Sequence, residues 1–231
     1  MSPMNIRIAT LALCSSLLLT ACGGDDDMAT FELTVTNITS AQPFSPLTAI
    51  AAADDFQIFR LAEPASEALE QIAEGGDNSF LLASTEGDER VFATASGMGA
   101  LMPGMSETLT LSLPVEDLDN AYLSAVTMLV NTNDAITAVH DISLSSLAMG
   151  ESHRVMARAY DAGTEANSEA QGSIPGPADG GEGFNAERDD TGSVRVHPGV
   201  ISMAGGKADS VLSEVHRFDN PVAVFSLTRI E

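Results

Sequence analysis

The chain contains no tryptophan, two cysteines, two tyrosines and only ten lysines and arginines among 231 residues. Each scarcity excludes something. Thirty-three aspartates and glutamates against those ten cationic residues give a formal charge of −23. A surface of that sign repels phosphate backbones and anionic head groups, so nucleic acid is excluded as a partner and cations are favoured. No long apolar run is present either. The longest, Ile8 to Leu19, falls short of the roughly 20 residues that a membrane-spanning helix needs. Gly-x-Ser-x-Gly, His-Glu-x-x-His and Gly-x-x-x-x-Gly-Lys are all missing, which removes the usual signatures of serine hydrolases, zinc peptidases and phosphate-binding loops.

What is present begins at the amino end. Arg7, the apolar stretch and a small-residue ending read as a secretory signal peptide over residues 1–21. Its end, Leu19-Thr20-Ala21-Cys22, is similar to a bacterial lipobox, in which the cysteine sulfur is lipidated and the chain is cut before it. Cys14 leaves with the leader, so the one remaining sulfur is a thioether and no internal disulfide can form. Several acyl chains on one residue give stable membrane attachment. Loss of Arg7 leaves a charge of −24 on the mature chain. Gly23-Gly24-Asp25-Asp26-Asp27 is too polar to fold, and residues 22–30 are expected to form a flexible tether. Glycine after the lipidated cysteine resembles the sorting context of outer-membrane lipoproteins. The expected location is therefore the cell envelope, on an outer membrane, facing the periplasm or the cell surface.

Residues 31–231 are expected to form one domain. Phe31, Leu33 and Val35 alternate with polar residues, as do Leu109, Leu111 and Leu113, and period-two alternation marks strands with one buried face. Tyr122 to Val130 is apolar throughout and should be a central strand. Further strands are expected at Glu89 to Ala95, His153 to Tyr160, Gly192 to His197 and Val222 to Ile230. One helix is expected, with Pro64 in its first turn and Gly75-Gly76 ending it. Residues 163–188 are poor in strongly apolar side chains and read as a long loop, which in a compact domain is commonly functional or mobile. The class is mainly β, an antiparallel sandwich with one short helix and long loops.

Hard cations such as calcium need several oxygens from carboxylates, carbonyls and water. Asp161-Ala162-Gly163-Thr164-Glu165 has a glycine that lets the chain turn back, so that both carboxylates can point into one volume. A second acidic turn, Asn131-Thr132-Asn133-Asp134, follows the central strand. If both leave their sheets at the same end, Asp134, Asp161 and Glu165 converge. The dipeptides Asp54-Asp55, Glu116-Asp117 and Asp189-Asp190 read as solvated turns. Met98, Met102 and Met105 offer soft thioethers to copper(I), but core filling is the preferred reading. His140, His153, His197 and His216 are scattered and read as hydrogen-bonded structural residues.

Gln42-Pro43-Phe44-Ser45-Pro46, Glu63-Pro64-Ala65-Ser66, Met128 to Asp134, Tyr160-Asp161-Ala162-Gly163-Thr164-Glu165, Ile174-Pro175-Gly176-Pro177 and Asn220-Pro221-Val222-Ala223 occur in the order found in the spondin domain. The chain resembles that family, known from F-spondin and mindin, over most of residues 31–231. The resemblance implies a C2-like antiparallel β-sandwich with a divalent cation, calcium, held by acidic loops at one end. It assigns Asp134, Asp161 and Glu165 as metal ligands. A further family acid falls where this chain has Thr108, Thr110 and Ser112, with Glu107 at the edge. The disulfides and tryptophans of the animal domains have no counterparts here.

Two classes of function follow. One is a non-enzymatic adhesion module tethered through Cys22, whose cation bridges to carbohydrate or to an envelope or surface protein. The other is a hydrolase that uses a metal-bound water with a histidine as base. All-oxygen ligands suit calcium, whereas catalytic zinc favours histidine, so the binding class is preferred. For the lipid anchor, Cys22→Ser is expected to abolish incorporation of a labelled fatty acid and to leave an uncut precursor on gels. Equal labelling of wild type and variant would contradict it.

Overall fold

The alternation that begins at Phe31 extends back to Met28, because Ala29 and Thr30 are already buried and paired with Leu113 and Ser112. The computed structural model describes residues 27–231, and the leader and Cys22 lie outside the described residues. Folded chain therefore starts three residues before the expected boundary at Phe31. Strand β1 is Met28–Asn37, β4 is Ser106–Pro114, β7 is Ser152–Ala157 and β10 is Ala223–Arg229. They form an antiparallel four-stranded sheet in the order β4-β1-β10-β7. Its inner face carries Phe31, Leu33, Val35, Leu109, Leu111, Leu113, Phe225 and Leu227, all buried. Its outer face carries hydroxyls that pair across strands, among them Thr34 with Thr108 and Ser152 with Thr228, both at 2.8 Å.

The second sheet has six strands in the order β3-β2-β5-β6-β8-β9. They are β2 Thr48–Ala52, β3 Val91–Ser96, β5 Tyr122–Met128, β6 Ala135–Ser143, β8 Ala159–Asp161 and β9 Arg195–Val196. One face packs on the first sheet through Ala49, Ala51, Leu123, Ala125 and Val139. The other face, with Ile50, Val126, Met128, Ile136 and Ala138, is covered by helix α1, Glu67–Gly75. A β-sandwich with a helical cover on one side results. The run from Tyr122 is interior, as its two-sided hydrophobicity requires.

Four sequence expectations are corrected. The described residues hold two α-helices rather than one, α1 and the short α2, Ser79–Thr85, which buries Leu81 against the same layer. Helix α1 starts later than Pro64 suggests, because Ser66 is its N-cap and accepts the Leu69 N–H at 3.2 Å. The segment from His153 to Tyr160 is two strands in two different sheets, with the crossing at Arg158. Met98, Met102 and Met105 do not fill the core. Met98 is 99% exposed and the other two are more than half exposed. Backbone bonds at Met105 and Gly104 to Asn37, and the Glu107 carboxylate on the Met98 N–H, hold that loop so that Leu101 alone turns inward beside Phe44.

Phe225 is buried between the sheets opposite Val35. Phe225→Ala is expected to cost about 3–5 kcal/mol, whereas Met98→Ala should stay within about 0.5 kcal/mol of wild type. Urea unfolding followed by circular dichroism checks both values.

Candidate metal centre

The turn Asn131-Thr132-Asn133-Asp134 between β5 and β6 is buried, and each side chain has a separate task. The Asn131 amide donates to Ala41 O at 2.8 Å and its Oδ1 accepts the Ala178 N–H at 2.9 Å. Gln42 closes the same corner by bonding both Asn131 N and Asn131 O at 3.1 Å. Thr132 Oγ1 donates to Leu129 O at 2.6 Å and accepts the Ala135 N–H at 3.0 Å, which starts β6. Asn133 bridges to Ser173 and Glu169 in the long loop. The turn is thus fixed on three sides, and Asp134, fully buried, is delivered with it.

Asp161 ends β8, directly across from Ala135 of β6 and from Arg195 of β9. Its Oδ1 accepts the Gly163 N–H at 2.9 Å, and its Oδ2 accepts Asn167 Nδ2 at 2.6 Å and Arg195 Nη2 at 3.0 Å. Gly163 has φ of +74°, and a Cβ there would sit 2.3 Å from Ser193 O. Only glycine allows the returning strand to pass so close. After that turn the N–H groups of Thr164 and Glu165 point back at Asp134 Oδ2, at 2.8 and 3.2 Å, and Thr164 Oγ1 approaches it at 3.3 Å.

The two acidic turns therefore meet, and Asp134 and Asp161 are neighbours. The third carboxylate closest to them is Asp190. Single ligand oxygens of Asp134, Asp161 and Asp190 all lie within 4.8 Å of one another, a group that could hold a metal ion. Asp190 is not a solvated turn. It accepts Arg195 Nη2 at 2.5 Å, and its neighbour Asp189, though exposed, accepts the Ala166 N–H at 2.7 Å. Glu165 lies beside the group rather than within it and is only part-buried, so that its backbone N–H rather than its carboxylate touches Asp134. Glu107 is engaged with Met98 N and Thr108 with Thr34, so neither contributes to this site.

Arg195 neutralises part of this charge by bonding both Asp161 and Asp190. Asp134 has no such partner. Its Oδ1 is buried and accepts no hydrogen bond. Burial first, and Asp161 second, push its carboxyl up to about 7, against the two backbone N–H bonds that favour the charged form. Glu165 is pushed up to about 8, by burial and then by the charges of Glu74 and Asp134. Burial also raises the Asp161 carboxyl, against the Asn167 hydrogen bond and the Arg195 charge that favour its ionised form.

Of the four histidines, His197 is the one tied to this centre. Its Nδ1 accepts the Gly199 N–H at 2.9 Å, and Nε2 pairs with Asn167 Oδ1 at 2.8 Å, so Asn167 relays its position to Asp161. His140 is not hydrogen-bonded as expected. Both its ring nitrogens are buried without a partner, and the ring packs edge-on to Phe59 at 4.3 Å.

No protein-family model matches the chain, and no curated protein matches it.

A carboxyl raised in the folded state gives stability that is complete below its unfolded pKa and is lost as pH rises through the folded one. For Asp134 that window runs from about 4 to about 7. In chelator, Asp134→Asn should flatten the fall in stability across the window, by on the order of 4 kcal/mol. Urea unfolding of both proteins at pH 5 and pH 8 samples the upper part of the window, where the flattening amounts to about 2–3 kcal/mol, and parallel profiles would contradict it.

Proposed function

We propose that the chain is a lipid-anchored extracytoplasmic binding module of spondin type. A hard divalent cation, calcium, at its acidic pole bridges to carbohydrate or to an envelope protein. One observation carries the reading: a fully buried carboxylate, Asp134, keeps one oxygen without any partner while further carboxylates crowd it. Such an arrangement is costly unless a cation completes it. The donors are all oxygens, which suits calcium. Asp134 and Asp161, with Glu165 and Asp190 beside them, would hold the ion. The spondin resemblance supplies the same pole of the fold and the same two aspartates, and the lipobox supplies the anchor.

A hydrolase reading gains nothing from the histidine nearest the site. Both nitrogens of His197 are engaged, so neither is free to take a proton from a metal-bound water.

If the reading is right, calcium at a hundredfold excess over its dissociation constant adds about 2.7 kcal/mol. For a domain of this size that raises the melting temperature by about 5–10 °C. The chain from Gly23 onward is expected to show this shift in calcium and to lose it in chelator. Asp161→Asn should remove most of it, while Asp54→Asn, an exposed acid elsewhere, should leave it intact. Equal shifts in the two variants would mean diffuse screening of a −24 charge and would overturn the assignment.

A further inference from the structure

We propose, building on the cation reading above, that Arg195 is an exchangeable counter-ion of this site. Its guanidinium and the divalent cation compete for the same two carboxylates, Asp161 and Asp190, and the ion binds by displacing the guanidinium.

One nitrogen makes both contacts. Arg195 Nη2 lies 3.0 Å from Asp161 Oδ2 and 2.5 Å from Asp190 Oδ2. A single positive centre therefore bridges carboxylates from two different segments, which is how a bound ion joins its ligands. These are two of the three side chains whose ligand oxygens lie within 4.8 Å of one another. Oxygens on one calcium ion stand at most about 5 Å apart, twice its ligand distance, so the spacing of all three fits that ion. The third side chain, Asp134, is outside the reach of the guanidinium's bonds. It is fully buried and its Oδ1 has no partner. Arg195 thus serves two carboxylates of a group of three, and the one it leaves over is the one most closed to water.

The carboxylates are fixed and the arginine is not. The Asp161 side chain is 0% exposed and that of Asp190 14%, against 34% for Arg195. Asp161 keeps the Gly163 N–H and the Asn167 amide whether or not Arg195 is in place. The backbone of Arg195 is held in register with Asp161 in the β8–β9 ladder, while its side chain is long enough to turn into water without moving that ladder. Its remaining bond, from Nη1 to the exposed Thr191 hydroxyl, is one that water can replace.

The two cations exclude each other. A calcium ion and a guanidinium on the same oxygens would stand within a few ångströms in a site largely closed to solvent, where like charges repel strongly. The incoming ion must also bring more than it displaces. A monovalent ion trades one unit charge for another, whereas calcium brings two charges and six to eight coordination positions, enough to take in Asp134 as well. Arg195 therefore holds the affinity for calcium down and keeps the carboxylates paired until the ion arrives.

The test uses the full chain in detergent, titrated with calcium chloride by calorimetry. One ion per chain is expected in the wild type. Arg195→Gln, which removes the competitor, should bind calcium at least about tenfold more tightly. Equal or weaker binding in that variant would make Arg195 a support for the carboxylates and overturn the exchange, leaving the cation reading standing. No stoichiometric calcium on the wild type would overturn both. Nuclear magnetic resonance of the unaltered protein gives an answer that does not depend on folding of the variant. The Arg195 guanidinium protons should exchange slowly with water before calcium is added and as fast as those of a free arginine after one equivalent. Potassium chloride at matched ionic strength should leave them slow. Protons that stay slow in calcium, or that are released equally by potassium, would overturn the exchange.

Discussion

The six-stranded sheet is apolar on both faces, and the rest of the molecule follows from the need to cover them. The four-stranded sheet covers one face through the alternating residues of β1, β4 and β10. The other needs a helix, and α1 supplies Leu69, Ile72 and Ala73 at helical spacing over Val126, Met128 and Ile136. Once α1 is seated, its remaining buried positions are polar: Glu70, Gln71 and Glu74.

The chain is short of cations, and two of its arginines meet carboxylates that are nearly closed to water. Arg188 meets Glu70, and Arg195 meets Asp161 and Asp190. Arg188 comes from the end of the long connection between β8 and β9, and Arg195 opens β9 itself. That connection is poor in apolar side chains, and its attachment is polar: the backbone bonds of Gly192 and Val194 and the Asn133 amide hold it in place. Its apolar anchors are small: Ala162 and Val194 at its two ends pack in the layer under α1, and a cluster of Ile174, Val200 and Leu212 ties it to the segment before β10.

Much of the fold was legible where one sheet face is buried and the other is wet, since β1 and β4 alternate. Strands β2 and β6 gave no such signal. All five residues of β2 are buried, three of them alanines, so neither alternation nor bulk distinguishes them from a helix. Helix α2 lacks a side-chain cap and buries only Leu81 and Thr85. At the site, Asp134 and Asp161 were visible because each ends a strand in a turn-forming context. Asp190 was not, because its role depends on Arg195 arriving from β9, a pairing no local pattern records.

Strand β1 joins the two ends of the molecule. Its amino end, beside Pro114, follows the segment that would carry a tether, while Asn37 at its other end leads through Gln42 to the Asn131 corner and the acidic pole. Ten residues of extended chain separate them, roughly 30 Å. A ligand held at that pole while the amino end is fixed would pull along β1, which is bonded to β4 on one side and β10 on the other. The load then falls in shear on both rows of hydrogen bonds together instead of opening them one at a time, a geometry in which mechanical resistance exceeds what the small net stability of the fold alone would supply.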